Sequence, residues 1–214
     1  MEVPLLAPFD KSDWGAIAAA FESALKLPLG QAWSPEPEKK FRPGFVGVGW
    51  RDGIFWVRAV LDDDCLTTSA TADNQNLWTL GDVFELFLRP MEGEVYYELH
   101  VAPSGHRLQL RFPDADMINR LREGKDRLED LLVDEPIFTF TTRTVPGGWE
   151  ILAGVPAATF GWPAGDLSGR ELLASFSRYD YSGDGSAPVL SSTSAHTIMN
   201  YHRQEDWKRL TLRA

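Results

Sequence analysis

Two glutamates on neighbouring strand-like segments are the residues of this chain best placed to do chemistry. Glu85 lies in Val83–Leu88, VFELFL, and Glu98 in Tyr96–Val101, YYELHV. Side chains of a strand alternate between its two faces. Phe84, Leu86 and Leu88 therefore share one face, and Val83, Glu85 and Phe87 the other. In the second segment Tyr97, Leu99 and Val101 form the apolar face, with Tyr96, Glu98 and His100 opposite. Arg89 to Val95 contains Pro90 and Gly93 and reads as the connection. A hairpin closed near Met91 sets Glu85 opposite Glu98, ~5 Å apart at Cβ, where like charges destabilise one another. In a third segment, Arg107–Phe112 (RLQLRF), Leu108 and Leu110 are expected to face the core and Gln109 and Arg111 the polar side. Arg111, a cation or a ligand hydroxyl would offset the carboxylate repulsion. A carboxylate pair ~5 Å apart also has the separation of a retaining glycosidase pair. The solvated face of an ordinary antiparallel sheet gives the same alternation.

Just ahead of Glu85, the stretch WTLGDVFE adds Trp78 and Asp82, an aromatic and an acid at the mouth of the first strand. The elements that must position these groups are strands. FVGVGW and IFWVRAVL flank Asp52-Gly53, a hairpin signal. IFTFTTRTV and WEILAGV flank Pro146-Gly147-Gly148, a second one. ELLASFSRYDY and the closing WKRLTL are also strand-like, and Tyr181 to Ser194 reads as a long Ser/Gly loop. Two helical stretches interrupt the pattern. Ser12 to Leu27 carries apolar residues near helical spacing, with Ser12 as its expected cap. Asp114 to Glu135 places Met117, Leu121, Leu128, Leu131 and Leu132 near helical spacing, broken at Gly124, and reads as a helical insertion off the sheet. Many short strands separated by turn signals imply an all-β chain: a two-sheet antiparallel β-sandwich of the immunoglobulin-like or jelly-roll type, with residues 1–214 as a single domain.

Composition narrows the function classes. The 214 residues include eight Trp and 12 Phe, enough for a substantial core, and the net charge is −10. Phosphate backbones and anionic lipid surfaces would repel such a chain, so neither nucleic acid nor membrane is an expected partner. The N-terminal MEVPLLAPFDKSDW lacks the basic start and apolar stretch of a signal peptide. The chain thus reads as cytoplasmic, although an extracytoplasmic protein with its signal removed would read identically. Cys65, the one cysteine, follows Asp62-Asp63-Asp64, where negative charge disfavours a thiolate. The four histidines show no metal-ligand spacing on a recognisable helix. Calcium is a candidate structural ion, with Asp62, Asp63 and Asp64, or Asp180 and Asp184, as oxygen donors in loops, but solvated acidic turns explain the same residues. No other cofactor is implied.

Taken in order, the blocks VRAVLDD, WTLGDVFELFLRP, YYELHVAPSG, GGWEILAGVP, SFSRYDY and YHRQEDWKRLTL resemble those of family 9 carbohydrate-binding modules, over about Val46 to Leu212. The resemblance implies an antiparallel sandwich that binds a saccharide end without catalysis, in polysaccharide metabolism, alone or joined to a glycoside hydrolase. By the same resemblance Trp78 matches one of two clamping aromatics, ahead of the acidic pair Asp82 and Glu85. Glu85 matches the strand carboxylate that meets the sugar. Glu98 stands where the pattern carries an amide, and Tyr201 takes the place of the second aromatic, usually Trp. An aromatic ring covers the C–H face of a pyranose, while carboxylates and Arg111 hold its hydroxyls by charge-assisted hydrogen bonds. The expected ligand-binding set is therefore Trp78, Asp82, Glu85, Glu98, Arg111 and Tyr201. Two alternatives stay open: an interaction domain with no small ligand, and a glycoside hydrolase acting through Glu85 and Glu98.

Overall fold

The computed structural model describes residues 1–214. Asp52 and Gly53 both take positive φ, 52° and 70°, which is the backbone of a type I′ turn and matches strand twist. They fold β3 (Gly44–Arg51) back on β4 (Ile54–Asp62) in register. One sheet runs β2 (Leu25–Pro28), β3, β4, β9 (Gly148–Pro156) and β8 (Thr139–Val145). The other runs β1 (Glu2–Val3), β12 (Lys208–Leu212), β10 (Glu171–Asp180), β5 (Val83–Pro90), β6 (Tyr96–Val101) and β7 (Arg107–Phe112). A short β11 (Val189–Ser192) pairs with the far end of β10. All pairings are antiparallel except β1 with β12. The expected all-β sandwich is present. No helix is long and apolar enough to cross a membrane.

The main core lies between the sheets. Phe84, Leu86, Leu88, Leu99 and Phe176 meet Val46, Val48, Phe55, Val57 and Ile151. These are the faces that the strand alternation assigned inward. Phe84 and Phe176 stack with ring centroids 6.4 Å apart. A second apolar layer covers the outer face of the β5–β6–β7 sheet, with Val83, Phe87, Tyr96, Leu108, Leu110 and Phe112 from the strands. Met117 and Leu131 of the insertion, and Tyr201 and Trp207 of the segment before β12, lie over them. Every residue of β6 is buried in consequence. The solvated-face alternative does not hold for these strands.

Four local expectations are corrected. Asp13 rather than Ser12 caps α1 (Trp14–Ala20), accepting from the amides of Gly15 and Ala16, and the rest of that stretch includes β2. The Ser/Gly loop contains β11. The insertion is a short α2 (Met117–Arg122), ended near Gly124 at φ 69°, followed by a 3-10 turn at Leu128–Leu131. The phase of β7 is reversed: Leu108, Leu110 and Phe112 face the outer layer beside Glu98 and His100. Gln109 takes the opposite face because its amide is committed to the returning chain, donating to Val133 O at 3.1 Å and accepting from Ile137 N at 2.8 Å.

Phe84→Ala should leave a cavity at the centre of the main core. The expected loss is about 3–5 kcal/mol, read as a lower urea midpoint at unchanged slope; a loss below about 1 kcal/mol would show that the sheets collapse to fill the gap.

Candidate functional site

The outer apolar layer is not closed. Between it and the α2 insertion lies a cavity of about 360 Å³. Trp78, Phe87, Tyr179 and Tyr201 supply aromatic walls, Ile118 and Leu128 of the insertion form the roof, and Glu85, Glu98 and His202 bring the polar groups. Arg122 Nη2 donates to Asn200 Oδ1 at 3.0 Å, joining α2 to the Met199–His202 segment beside the opening.

The β5–β6 register places these polar groups. Glu85 pairs with His100, and Phe87 pairs with Glu98. The two glutamates are therefore diagonal rather than directly opposed, two residues off the expected register. The observed register seats His100 between them and relieves the repulsion that direct opposition would impose. His100 Nε2 lies 2.7 Å from Glu98 Oε1 and 3.3 Å from Glu85 Oε1. The Trp78 ring meets the His100 ring edge-on, centroids 5.5 Å apart. His202 Nε2 lies 3.6 Å from Glu98 Oε2, and its Nδ1 is 3.0 Å from the Tyr96 hydroxyl.

Burial sets the protonation of this group. It pushes the Glu85 carboxyl well above the usual range, against the attraction of His100. Burial pushes Glu98 the same way, but His202 and the hydrogen bond to His100 more than offset it, and Glu98 ends below its ordinary value. His100 is drawn down by burial and up by Glu85 and Glu98, with a net rise. The cluster thus offers a proton-donating and a proton-accepting carboxyl side by side, able to hydrogen-bond hydroxyl groups in either sense.

The remaining expected residues divide. Trp78 is half-buried, and Tyr201 is buried with its hydroxyl donating to Arg178 O at 3.1 Å; both line the cavity. Asp82 does not line it. Its carboxylate accepts from the backbone N–H groups of Thr67 and Tyr181, fastening the loop that carries Trp78, and the Tyr181 hydroxyl donates to Trp78 O at 2.6 Å. Arg111 is exposed on the opposite face of β7, with Gln109, and takes no part in the cavity. Arg122, Tyr179 and Asn200 were not expected there. Tyr179 alternates in phase with the buried Ser175 and Ser177 on β10, whereas Arg122 and Asn200 come together only through the fold.

A second cluster lies at the end of the same sheet. Asp63, Asp82 and Asp180 are buried, with one oxygen from each within 4.8 Å of the others. Arg178, fully buried, donates to Asp63 Oδ2 at 2.7 Å and to Asp62 O at 2.7 Å. Of the loop acids expected to hold calcium, the fold brings Asp63 and Asp180 together and adds Asp82, while Asp184 pairs with Lys40 at 2.6 Å.

No protein-family model matches the chain, and no curated protein matches it. Solved structures do. A candidate carbohydrate-binding protein from Bacteroides uniformis ATCC 8492 superposes with a TM-score of 0.72 at 13% identity, over 99% of this chain and 98% of its own. A family 9 carbohydrate-binding module from Caldicellulosiruptor kristjanssonii, in complex with cellotriose, gives 0.66 at 12% identity over 100% and 93% of the two chains. Its complex with glucose gives 0.67 at 12% identity over 100% and 95%. At these identities the likeness is one of fold: the chain has the sandwich of the family 9 carbohydrate-binding modules from end to end.

Proposed function

We propose that the protein binds the end of a saccharide, without catalysis, in the cavity beneath the α2 insertion. The observation that carries this reading is the pairing of aromatic walls with buried carboxyls in one cavity. Trp78 and Tyr201 can cover the C–H faces of a sugar ring, and Glu85 and Glu98 can hold its hydroxyls. A volume of about 360 Å³ lies at the low end of small-molecule sites, which suits one terminal ring better than a chain passing through. The structural neighbours bound to glucose and cellotriose support the same ligand class. A hydrolytic role for Glu85 and Glu98 has less support, because His100 occupies the space between the two carboxyls that a scissile bond would need. An interaction domain with no small ligand becomes the better reading if no saccharide binds.

Calorimetry with glucose, xylose and their disaccharides tests the reading. Trp78→Ala should remove most of the binding, since an aromatic contact is worth ~1 kcal/mol or more beyond area burial. Glu85→Gln should weaken binding and leave the melting temperature nearly unchanged, and Arg111→Ala should alter neither. Loss of affinity in Arg111→Ala with Trp78→Ala unaffected would place any sugar on the other face of β7.

The buried acids Asp63, Asp82 and Asp180 fit a structural calcium ion, which takes oxygen donors in flexible arrays. In metal-free buffer burial pushes Asp82 up to about 7 and Asp180 up to about 6. A carboxyl whose folded pKa exceeds its unfolded value binds more protons in the fold, so stability falls as pH rises between the two values. Urea unfolding in EDTA should therefore show stability declining from about pH 4 to about pH 7, with a smaller decline in Asp82→Asn. Calcium at about 100 times its dissociation constant should restore about 2.7 kcal/mol; no rise in melting temperature with millimolar calcium would exclude the ion.

A further inference from the structure

We propose that Glu85, Glu98 and His100, with His202 beside them, form a binding site for a divalent transition metal of the zinc class at the base of the cavity. This cluster differs from a solvated acidic patch. Glu85 is 2% exposed, Glu98 6% and His100 0%, and one donor atom from each lies within 4.8 Å of the other two. His100 Nε2 carries at most one proton, and the nearer acceptor, Glu98 Oε1 at 2.7 Å, takes it. Glu85 is left with a 3.3 Å approach to the same nitrogen and accepts no hydrogen bond from any other group of the chain. It is a buried carboxyl aimed into the cavity without a donor of its own. Isolated buried carboxylates are costly. A cation where the three donor atoms converge would satisfy both carboxylates, releasing any proton held by Glu85 to solvent, and would bind the Nε2 lone pair that His100 presents once its proton moves to Nδ1.

The spacing fits. Zinc takes imidazole nitrogen at ~2.0–2.1 Å and carboxylate oxygen at ~2.0–2.2 Å in a tetrahedron, so neighbouring donors lie roughly 3.4 Å apart. The observed contacts of 2.7 and 3.3 Å need only small side-chain rotations to reach it. His202 extends the donor set. With its Nδ1–H turned to the Tyr96 hydroxyl, 3.0 Å away, its Nε2 presents a lone pair toward Glu98, 3.6 Å away. A second hydrogen bond of that kind orients ligating histidines generally. The mixed nitrogen and carboxylate donors select zinc or its neighbours over soft copper(I), and they distinguish this cluster from the all-oxygen Asp63, Asp82 and Asp180 set. The open side faces the cavity between Trp78 and Tyr201, where water or a ligand hydroxyl can complete the coordination.

This inference does not rest on saccharide binding, and the test separates the two. Protein stripped with EDTA and dialysed is titrated with zinc chloride by calorimetry in the absence of sugar, then with cobalt(II), whose visible absorption reports nitrogen and oxygen coordination in the wild-type chain whatever the variants do. One equivalent of zinc should bind. Glu85→Gln and His100→Gln should each weaken it about 10-fold or more, and Arg111→Ala, on the opposite face of β7, should leave it unchanged. No stoichiometric zinc, or equal affinity in wild type, Glu85→Gln and His100→Gln, would overturn the site, the latter by locating the metal elsewhere on the surface. Glucose titrated into metal-free protein runs in parallel. Sugar binding without zinc binding sinks the metal site alone, and zinc binding without sugar binding sinks the saccharide reading alone.

Discussion

Burial of one sheet on both faces is the constraint from which the rest of this molecule follows. β5 and β6 carry apolar residues on each side because one side meets the opposing sheet and the other meets the insertion and the segment before β12. A polar group in that outer layer has no bulk water to turn to, so it must find its partner within the protein. Glu85, Glu98 and His100 are the groups caught by this rule. Their mutual contacts of 2.7 and 3.3 Å answer it only in part, since one ring nitrogen faces two carboxyls. His100 Nδ1 meanwhile finds no partner. An incompletely satisfied buried cluster beside a cavity is a place where a ligand gains more than it would on the surface, because its donors replace bonds that the protein itself does not supply.

Rigidity around the cavity comes from a different set of charges. Arg178 reaches from β10 to the end of β4 and holds Asp63 and the Asp62 carbonyl. Asp82 ties the Thr67 and Tyr181 amides across the same end of the sheet. Trp78 rides on the 3-10 turn Leu77–Thr79 between these anchors, with its carbonyl held by Tyr181. Asp82 thus serves the cavity by positioning rather than by contact. Residues named together from one motif, WTLGDVFE, divide into a wall of the cavity and a fastener of the loop behind it.

What the sequence made legible was what period-2 alternation encodes: the strands, the inner faces of β5 and β6, and the Asp52-Gly53 turn. What it hid was set by partners distant in the chain. The β5–β6 register differed by two residues because the eight residues from Arg89 to Tyr96 close the hairpin, and loop composition does not fix where pairing resumes. The phase of β7 is ambiguous in the sequence because Leu108, Leu110 and Phe112 suit either apolar layer. The choice was made by Gln109, whose amide bonds the chain at Val133 and Ile137. Arg111 left the candidate site for that reason. His202, which has no helical ligand spacing in the sequence, lines the cavity because the chain before β12 folds over β6.

The superposed structures, at 12–13% identity over nearly the whole of this chain, fit the same physics. Alternation and turn chemistry can be written in many residue combinations, so a sandwich persists where few side chains coincide. Binding chemistry has no such latitude, because it depends on which groups the covering segments enclose. Here those segments are α2 and the stretch around Tyr201, and the groups they enclose against the sheet are two carboxyls sharing one histidine. Any ligand that fills the cavity must therefore bring polar partners for these groups, whether hydroxyls or a metal ion. An uncharged apolar molecule of the same volume would leave Glu85 as unpaired as before and take away its remaining access to water, so apolar burial alone is a poor basis for occupancy of this site.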